Sequence, residues 1–183
     1  MKTSEPIEPT ELIACLCEGG AEKAIVNRLL DADKLIFVRE NLLEHKPIRC
    51  RDAKEFQERY LKKEFPAPIR VYRILDSRKE AFKLGKAYRS KVHLIDVITA
   101  PEIEILIIHA EGKFDAYKKS KKKPSAFCKQ ELKMSRVKSE DFVAKYFSDV
   151  DKLLGALQCY RKKSKLPTGE KSLIDLVKQN YPH

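Results

Sequence analysis

The sequence has no tryptophan, only six glycines, and no stretch approaching the ~20 consecutive apolar residues that a membrane-crossing helix needs. Its opening, Met1-Lys2-Thr3-Ser4-Glu5-Pro6, lacks the apolar centre of a secretory signal, so a cytoplasmic protein is expected. A Gly-x-x-x-x-Gly-Lys-Ser/Thr loop is missing too, which argues against ATP hydrolysis by this chain and disfavours a nucleotide-handling enzyme of the phosphate-loop kind. The cysteines number five, an odd count with no second Cys/His pair at ligand spacing, so neither a disulfide framework nor a structural zinc site is expected. Cys15 and Cys17, two apart, read as small hydrophobes sharing one face of a buried strand. The histidines, His45, His93, His109 and His183, share no spacing and read as core or surface residues.

What is present begins with one organising stretch. Leu12 to Cys17 is an unbroken apolar run stopped by Gly19 and Gly20, the pattern of a strand buried on both faces. Apolar positions then recur at Ala21, Ala24, Ile25, Leu29 and Leu30, with Glu22, Lys23 and Arg28 between them, the pattern of an amphipathic helix. Glu18 therefore falls at the carboxyl end of a central strand, where open α/β sheets place their ligands. A carboxylate there suits a cation better than a phosphate.

Further along, Lys34–Val38 reads as a second strand, Asp52–Lys63 as a helix capped by Asp52, Ile69–Leu75 as a third strand running into Asp76, and Val92–Ile98 as a fourth. Lys79–Lys91 reads as a helix between the last two. Thr99-Ala100-Pro101-Glu102 resembles a helix start, continuing through Ile103 and Ile105–Ile108 to Gly112. Beyond Gly112 only short helices are expected, at Phe114–Lys122, Pro124–Lys133, Ser139–Phe147, Asp151–Lys163 and Glu170–Tyr181. The expectation is an α/β fold, a small mostly parallel sheet of about four strands flanked by helices over residues 1–112, with a basic helical subdomain over 113–183.

The charge is placed unevenly. The net charge is +11, and Lys113–Lys165 alone holds 16 Lys/Arg against 6 Asp/Glu. A balanced body with a basic C-terminal portion favours a polyanionic partner, and nucleic acid is the natural candidate. Lys118, Lys119, Lys121, Lys122, Lys123, Lys129 and Lys133 are the candidate phosphate-binding residues, against the plainer reading of a solvated lysine face. Tyr117, Phe127, Phe142, Tyr146, Phe147 and Tyr160 interleave with these lysines; at helical spacing they read first as core, with base stacking as the alternative. Three acidic positions fall at strand ends: Glu18, Asp76, and Glu102 with Glu104. In a parallel sheet these ends share one edge, and converging carboxylates need a hard cation such as Mg²⁺ or Mn²⁺ between them. Glu22 reads as a helix-surface acid that could join them.

These residues carry a resemblance. Strand, Glu18-Gly19-Gly20-Ala21-Glu22, helix, and a later strand ending in Asp76 resemble a Toprim domain, the metal-binding module of topoisomerases, primases and OLD-type nucleases. Pro101-Glu102-Ile103-Glu104 opening an apolar helix is similar to what the RloB-like proteins of bacterial defence systems place after that core. The resemblance covers residues 10 to about 112. It implies a metal-dependent nuclease cleaving phosphodiester bonds in DNA or RNA, with Mg²⁺ or Mn²⁺ as cofactor. It implies an anti-phage effector role beside a partner protein such as a separately encoded ATPase. Glu18 would be general base or metal-proximal acid and Asp76 the principal metal ligand. Toprim domains usually carry Asp-x-Asp at the second motif, whereas this chain has Asp76-Ser77-Arg78. Either Glu102 or Glu104 replaces the missing ligand and Arg78 grips a phosphate, or the fold serves as a non-catalytic nucleic-acid-binding or adaptor subunit.

Overall fold

The computed structural model describes Ile7 and residues 10–178. Its centre is a four-stranded, all-parallel sheet in the order β2-β1-β3-β4, made of β1 (Ile13–Cys17), β2 (Ile48–Arg49), β3 (Ile69–Leu75) and β4 (Val92–Ile98). β1 and β3 are the inner strands and are buried at every position, which is why they read as apolar runs rather than alternations. Seven α-helices flank the sheet among the described residues: α1 (Gly20–Asp31), α2 (Ala53–Phe56), α3 (Ile105–Ala110), α4 (Phe114–Ser120), α5 (Pro124–Gln130), α6 (Glu140–Tyr146) and α7 (Val150–Lys163). This is the expected α/β architecture.

Side-chain alternation along the inner strands feeds two cores. Ile13, Cys15, Cys17, Tyr72 and Ile74 point to the larger one, shared with α1, α3, α7 and the buried Phe127, Val143 and Phe147. Ala14, Leu16, Ile69 and Val71 point to the smaller one, closed by Ile48, Phe56, Tyr60, Leu61, Phe82 and Leu84. Side chains from both sides of Gly112 thus belong to one continuous cluster, with Leu153, Leu157 and Tyr160 of α7 in the same core as Leu106 and Ile108 of α3.

Four expected elements differ. Lys34–Val38 is not a sheet strand. Leu35 and Phe37 are buried as a strand's inner residues would be, but the segment pairs with the chain's later part: Ile36 N–H donates to Leu176 O at 2.9 Å, and Lys178 N–H to Lys34 O at 2.8 Å. The sheet instead takes the two-residue strand Ile48–Arg49 beside β1. Lys79–Lys91 is not an α-helix either, because its apolar residues Phe82 and Leu84 are buried two apart, an extended pattern, and only Lys86–Lys91 coils, as a 3-10 helix. The buried Arg73 fastens this loop, donating to Glu80 O at 3.2 Å and lying 4.8 Å from the Phe82 ring centre. The helix expected from Pro101 begins only at Ile105. The chain first turns through a cis Ala100–Pro101 bond, where the Tyr160 hydroxyl binds both the N–H (2.9 Å) and the C=O (3.2 Å) of Ala100. Glu170–Tyr181 holds one 3-10 turn, Leu173–Leu176, and its end lies outside the described residues.

Candidate functional site

Because β1 and β3 are parallel neighbours with Cys17 opposite Ile74, Glu18 and Asp76 leave the sheet side by side. The Asp76 backbone N–H donates to Glu18 Oε2 at 3.2 Å. Glu18 is buried, and burial is the first cause that pushes its carboxyl up to about 7. The Asp76 N–H opposes this, while the charges of Asp76 and Glu80 and a shared carboxyl hydrogen bond with Asp76 add to it.

Glu22 joins them. Although charged and in the first turn of α1, it is only 4 % exposed. Gly19 leaves room for it: a Cβ there would stand 2.9 Å from Glu22 Oε2, and the carboxylate would have to shift to admit it. Burial again raises Glu22, Asp76 adds to the rise, and the Gly19 and Glu22 backbone N–H groups and Arg51 resist it. Gly20 serves packing, since a Cβ there would lie 3.1 Å from the backbone N of Glu140 and force α1 off α6.

Glu102 and Glu104, equivalent candidates in the sequence, are placed differently. Both Glu102 oxygens are engaged: Oε2 accepts from Ser125 N–H at 2.9 Å in the first turn of α5, and Oε1 from Lys138 Nζ at 3.2 Å. Burial works to raise its carboxyl, but these donors hold it below the usual range. Glu104 is 2 % exposed, and its Oε2 has no hydrogen-bond partner. Burial pushes it to about 7, resisted by its own backbone N–H and by Lys138, and reinforced by the charges of Glu102 and Glu22. A buried carboxylate oxygen left unpartnered is expensive unless a proton or a cation satisfies it.

Lys138 faces this group. Burial works to lower its ammonium, yet Glu104, Glu102 and Asp76 together hold it above the ordinary lysine value. Arg51, just after β2, donates from Nε to Glu18 O at 3.1 Å and is otherwise exposed. Sequence reasoning missed both residues. Lys138 lies in a loop with no pattern to mark it, and Arg51 follows a strand that its two-residue length hides. Glu22 left one legible trace, its position four residues after Glu18 on the first turn beyond two glycines.

The remaining candidates lie elsewhere or are occupied. Arg78 is bound bidentately to Glu170, at 2.7 and 2.8 Å. Lys118 and Lys119 are exposed on α4, Lys129 is exposed on α5 and Lys133 in the loop after it. Lys122 pairs with Glu131 at 2.5 Å, while Lys121 and Lys123 stand exposed beside it.

The donor set of Glu18, Glu22, Asp76 and Glu104 is all hard oxygen, burial with some help from neighbouring carboxylate charges pushes Glu18 and Glu104 up to about 7, and one buried Glu104 oxygen is orphaned, a situation that a proton or a hard cation would relieve. Among the described residues no three of these groups form a ready coordination shell. In comparisons with known proteins, the chain matches no family model, no curated protein and no solved structure.

Proposed function

We propose that this chain is a Toprim-like nuclease, dependent on Mg²⁺ or Mn²⁺, that cleaves phosphodiester bonds in DNA or RNA. The observation that carries the reading is that Glu18 and Asp76 leave adjacent parallel strands side by side, with the charge of Asp76 acting on Glu22 and that of Glu22 on Glu104, whose Oε2 is buried and unpartnered. Those four carboxylates would hold the ion, which when bound would supply charge stabilisation at a phosphoryl oxygen and a more acidic water. Glu18, which leaves β1 beside Asp76, is placed to take a proton from that water. Lys138 and Arg51 border the acids with positive charge and are suited to hold phosphate oxygens there. Glu102 sets the α5 turn and holds Lys138.

A second reading, a nucleic-acid-binding or adaptor subunit without cleavage, is favoured by the second motif. Asp76-Ser77-Arg78 offers one acid, and Arg78 is committed to Glu170. Cleavage of labelled single- and double-stranded DNA and RNA, with Mg²⁺ or Mn²⁺, separates the two. Glu18→Gln, Asp76→Asn and Glu104→Gln should each lower the rate by about 10²-fold or more, with thermal stability unchanged or higher because one of several repelling acids is removed. Glu102→Gln should have the smaller effect on rate. Equal cleavage by wild type and the three variants rejects the assignment, and binding without cleavage by wild type selects the adaptor.

A further inference from the structure

A cavity of about 290 Å³ is lined by Pro101, Glu102, Tyr117, Lys121, Lys122, Lys123 and Pro124. Its walls come from the turn after β4, the end of α4 and the start of α5, three segments brought together by the fold. Two prolines and a tyrosine ring supply rigid apolar surface. Tyr117 is itself braced, edge-on against Phe127 at 5.6 Å between ring centres, and Phe127 is buried. The consecutive lysines supply the charge. Lys122 is neutralised by Glu131, but no carboxylate lies within ion-pair distance of Lys121 or Lys123 among the described residues. The one acid in the lining, Glu102, is engaged by Ser125 and Lys138 and so orders the wall.

Lys121 adds a separate observation. It ends α4 with φ 54°, the left-handed conformation that glycine usually supplies at a helix C-terminus. A lysine in that conformation carries some backbone strain, as do Asp33, His45, Lys133 and Arg136, and strain of this kind is found at ligand sites. The volume falls just below the range for ligand pockets, roughly 300–1,000 Å³, which limits the occupant to about one nucleotide. Flat apolar walls beside unpaired ammonium groups match a planar base joined to a phosphate.

We propose that this cavity is a nucleotide subsite that binds a nucleoside monophosphate group, the base against Tyr117 and the two prolines and the phosphate at Lys121 and Lys123. The group could arrive as the phosphorylated end of a strand or as the free nucleotide; the first source rests on the nuclease reading, whereas the cavity's chemistry does not.

The test titrates isotope-labelled full-length protein with AMP, adenosine and inorganic phosphate in EDTA, following backbone amide shifts. AMP should bind saturably, shifting Tyr117 and Lys121–Lys123, with adenosine and phosphate each at least tenfold weaker. The Lys121→Gly/Lys123→Gln variant should bind AMP at least tenfold more weakly with an unchanged or higher melting temperature, because glycine relieves the strained position and loss of fold cannot then explain loss of binding. A 5′-phosphorylated oligonucleotide giving the same shifts at tenfold lower concentration, and a 5′-hydroxyl one failing to, supports a strand end. Equal potency of AMP and the phosphorylated strand supports the free nucleotide. Equal AMP affinity in wild type and variant, or shifts confined to Lys118, Lys129 and Lys133, overturns the proposal. AMP binding that persists in Glu18→Gln, in a protein that cleaves no nucleic acid, leaves the cavity standing and removes the nuclease reading. Cleavage without AMP shifts does the reverse.

Discussion

Glu104 shows most directly what the residue scale contributes. Its carboxyl and that of Glu18 are pushed to about 7 in the fold against an ordinary value of 4.5, so between those values the folded state holds more protons than the unfolded. Stability therefore falls as pH rises from about 4.5 through 7, and the loss is complete at pH 8. His109 works in the opposite direction. It is buried with both ring nitrogens unpartnered, stacked on Phe114 at 4.4 Å, and burial with the nearby Lys163 charge lowers it from 6.5 to about 4. From 6.5 down to 4 the unfolded state binds the extra proton, so stability falls as pH drops through that window. Two raised carboxyls outweigh one lowered imidazole, so from these three groups stability falls with rising pH across the window from 4.5 to 7 and is greatest near its acid end. Glu104→Gln should raise stability at pH 8 by about 1–3 kcal/mol and flatten the pH 6–8 slope. Melting temperatures from pH 5 to 9 in EDTA check this, and a profile that matches wild type would count against the buried charge. In wild type, Mg²⁺ should raise the melting temperature more at pH 8 than at pH 6, because protons compete for the same oxygens.

At the element scale, local caps decide where the helices stand and therefore what they bring to the sheet edge. Asp52, Ser139 and Asp149 each accept hydrogen bonds from first-turn N–H groups of α2, α6 and α7. The α7 cap has the farthest reach, since that helix carries Leu153, Leu157 and Tyr160 into the main core, and Tyr160 anchors the Ala100 turn that leads to Glu102 and Glu104. Asp149 accepts from Asp151 N–H at 2.9 Å and Lys152 N–H at 3.4 Å. Asp149→Ala should cost about 1 kcal/mol, a drop of roughly 2–4 °C for a chain of this size, whereas Asp149→Asn should lose much less. Differential scanning calorimetry of both variants tests it, and equal losses would mean that the carboxylate acts by charge alone. The β1-to-α1 turn uses absence of side chains in the same local way, with Gly19 admitting the Glu22 carboxylate and Gly20 admitting α6.

At the scale of the whole molecule, the net charge of +11 is carried largely by residues 113–165. Their helices share the core of the sheet, so the basic surface is mounted rigidly beside the acid cluster. If Lys118, Lys119, Lys121, Lys122 and Lys123 contact phosphates, log K for nucleic acid should fall with log salt by about 0.7–0.9 per phosphate neutralised. Replacing all five with Gln should make that slope shallower by several units and weaken all sequences alike. Each replacement should change stability by no more than about 0.5 kcal/mol. Anisotropy titrations across salt concentrations measure this. An unchanged slope would identify the run as a solvated face.

What the sequence determined by itself is whatever depends on near neighbours along the chain. The bounds of β3 and β4, the strand-to-helix turn at Glu18 and Gly19, and the caps at Asp52 and Ser139 were legible because periodicity, glycine and capping chemistry act within a few residues. The adjacency of Glu18 and Asp76 also followed, since parallel strands bring their carboxyl ends to one edge. Partner choice was not legible. Leu35 and Phe37 have a strand's composition, yet their segment pairs with residues 176–178 rather than with the sheet. Only the tertiary structure separated Glu102, with both oxygens engaged, from Glu104, with one orphaned, and buried Glu22 beside Asp76. Lys138 reached the same acids from a loop 62 residues beyond Asp76. The physical reason is common to all of these: burial and charge depend on contacts distant in sequence, and local pattern carries no record of which distant group fills the space.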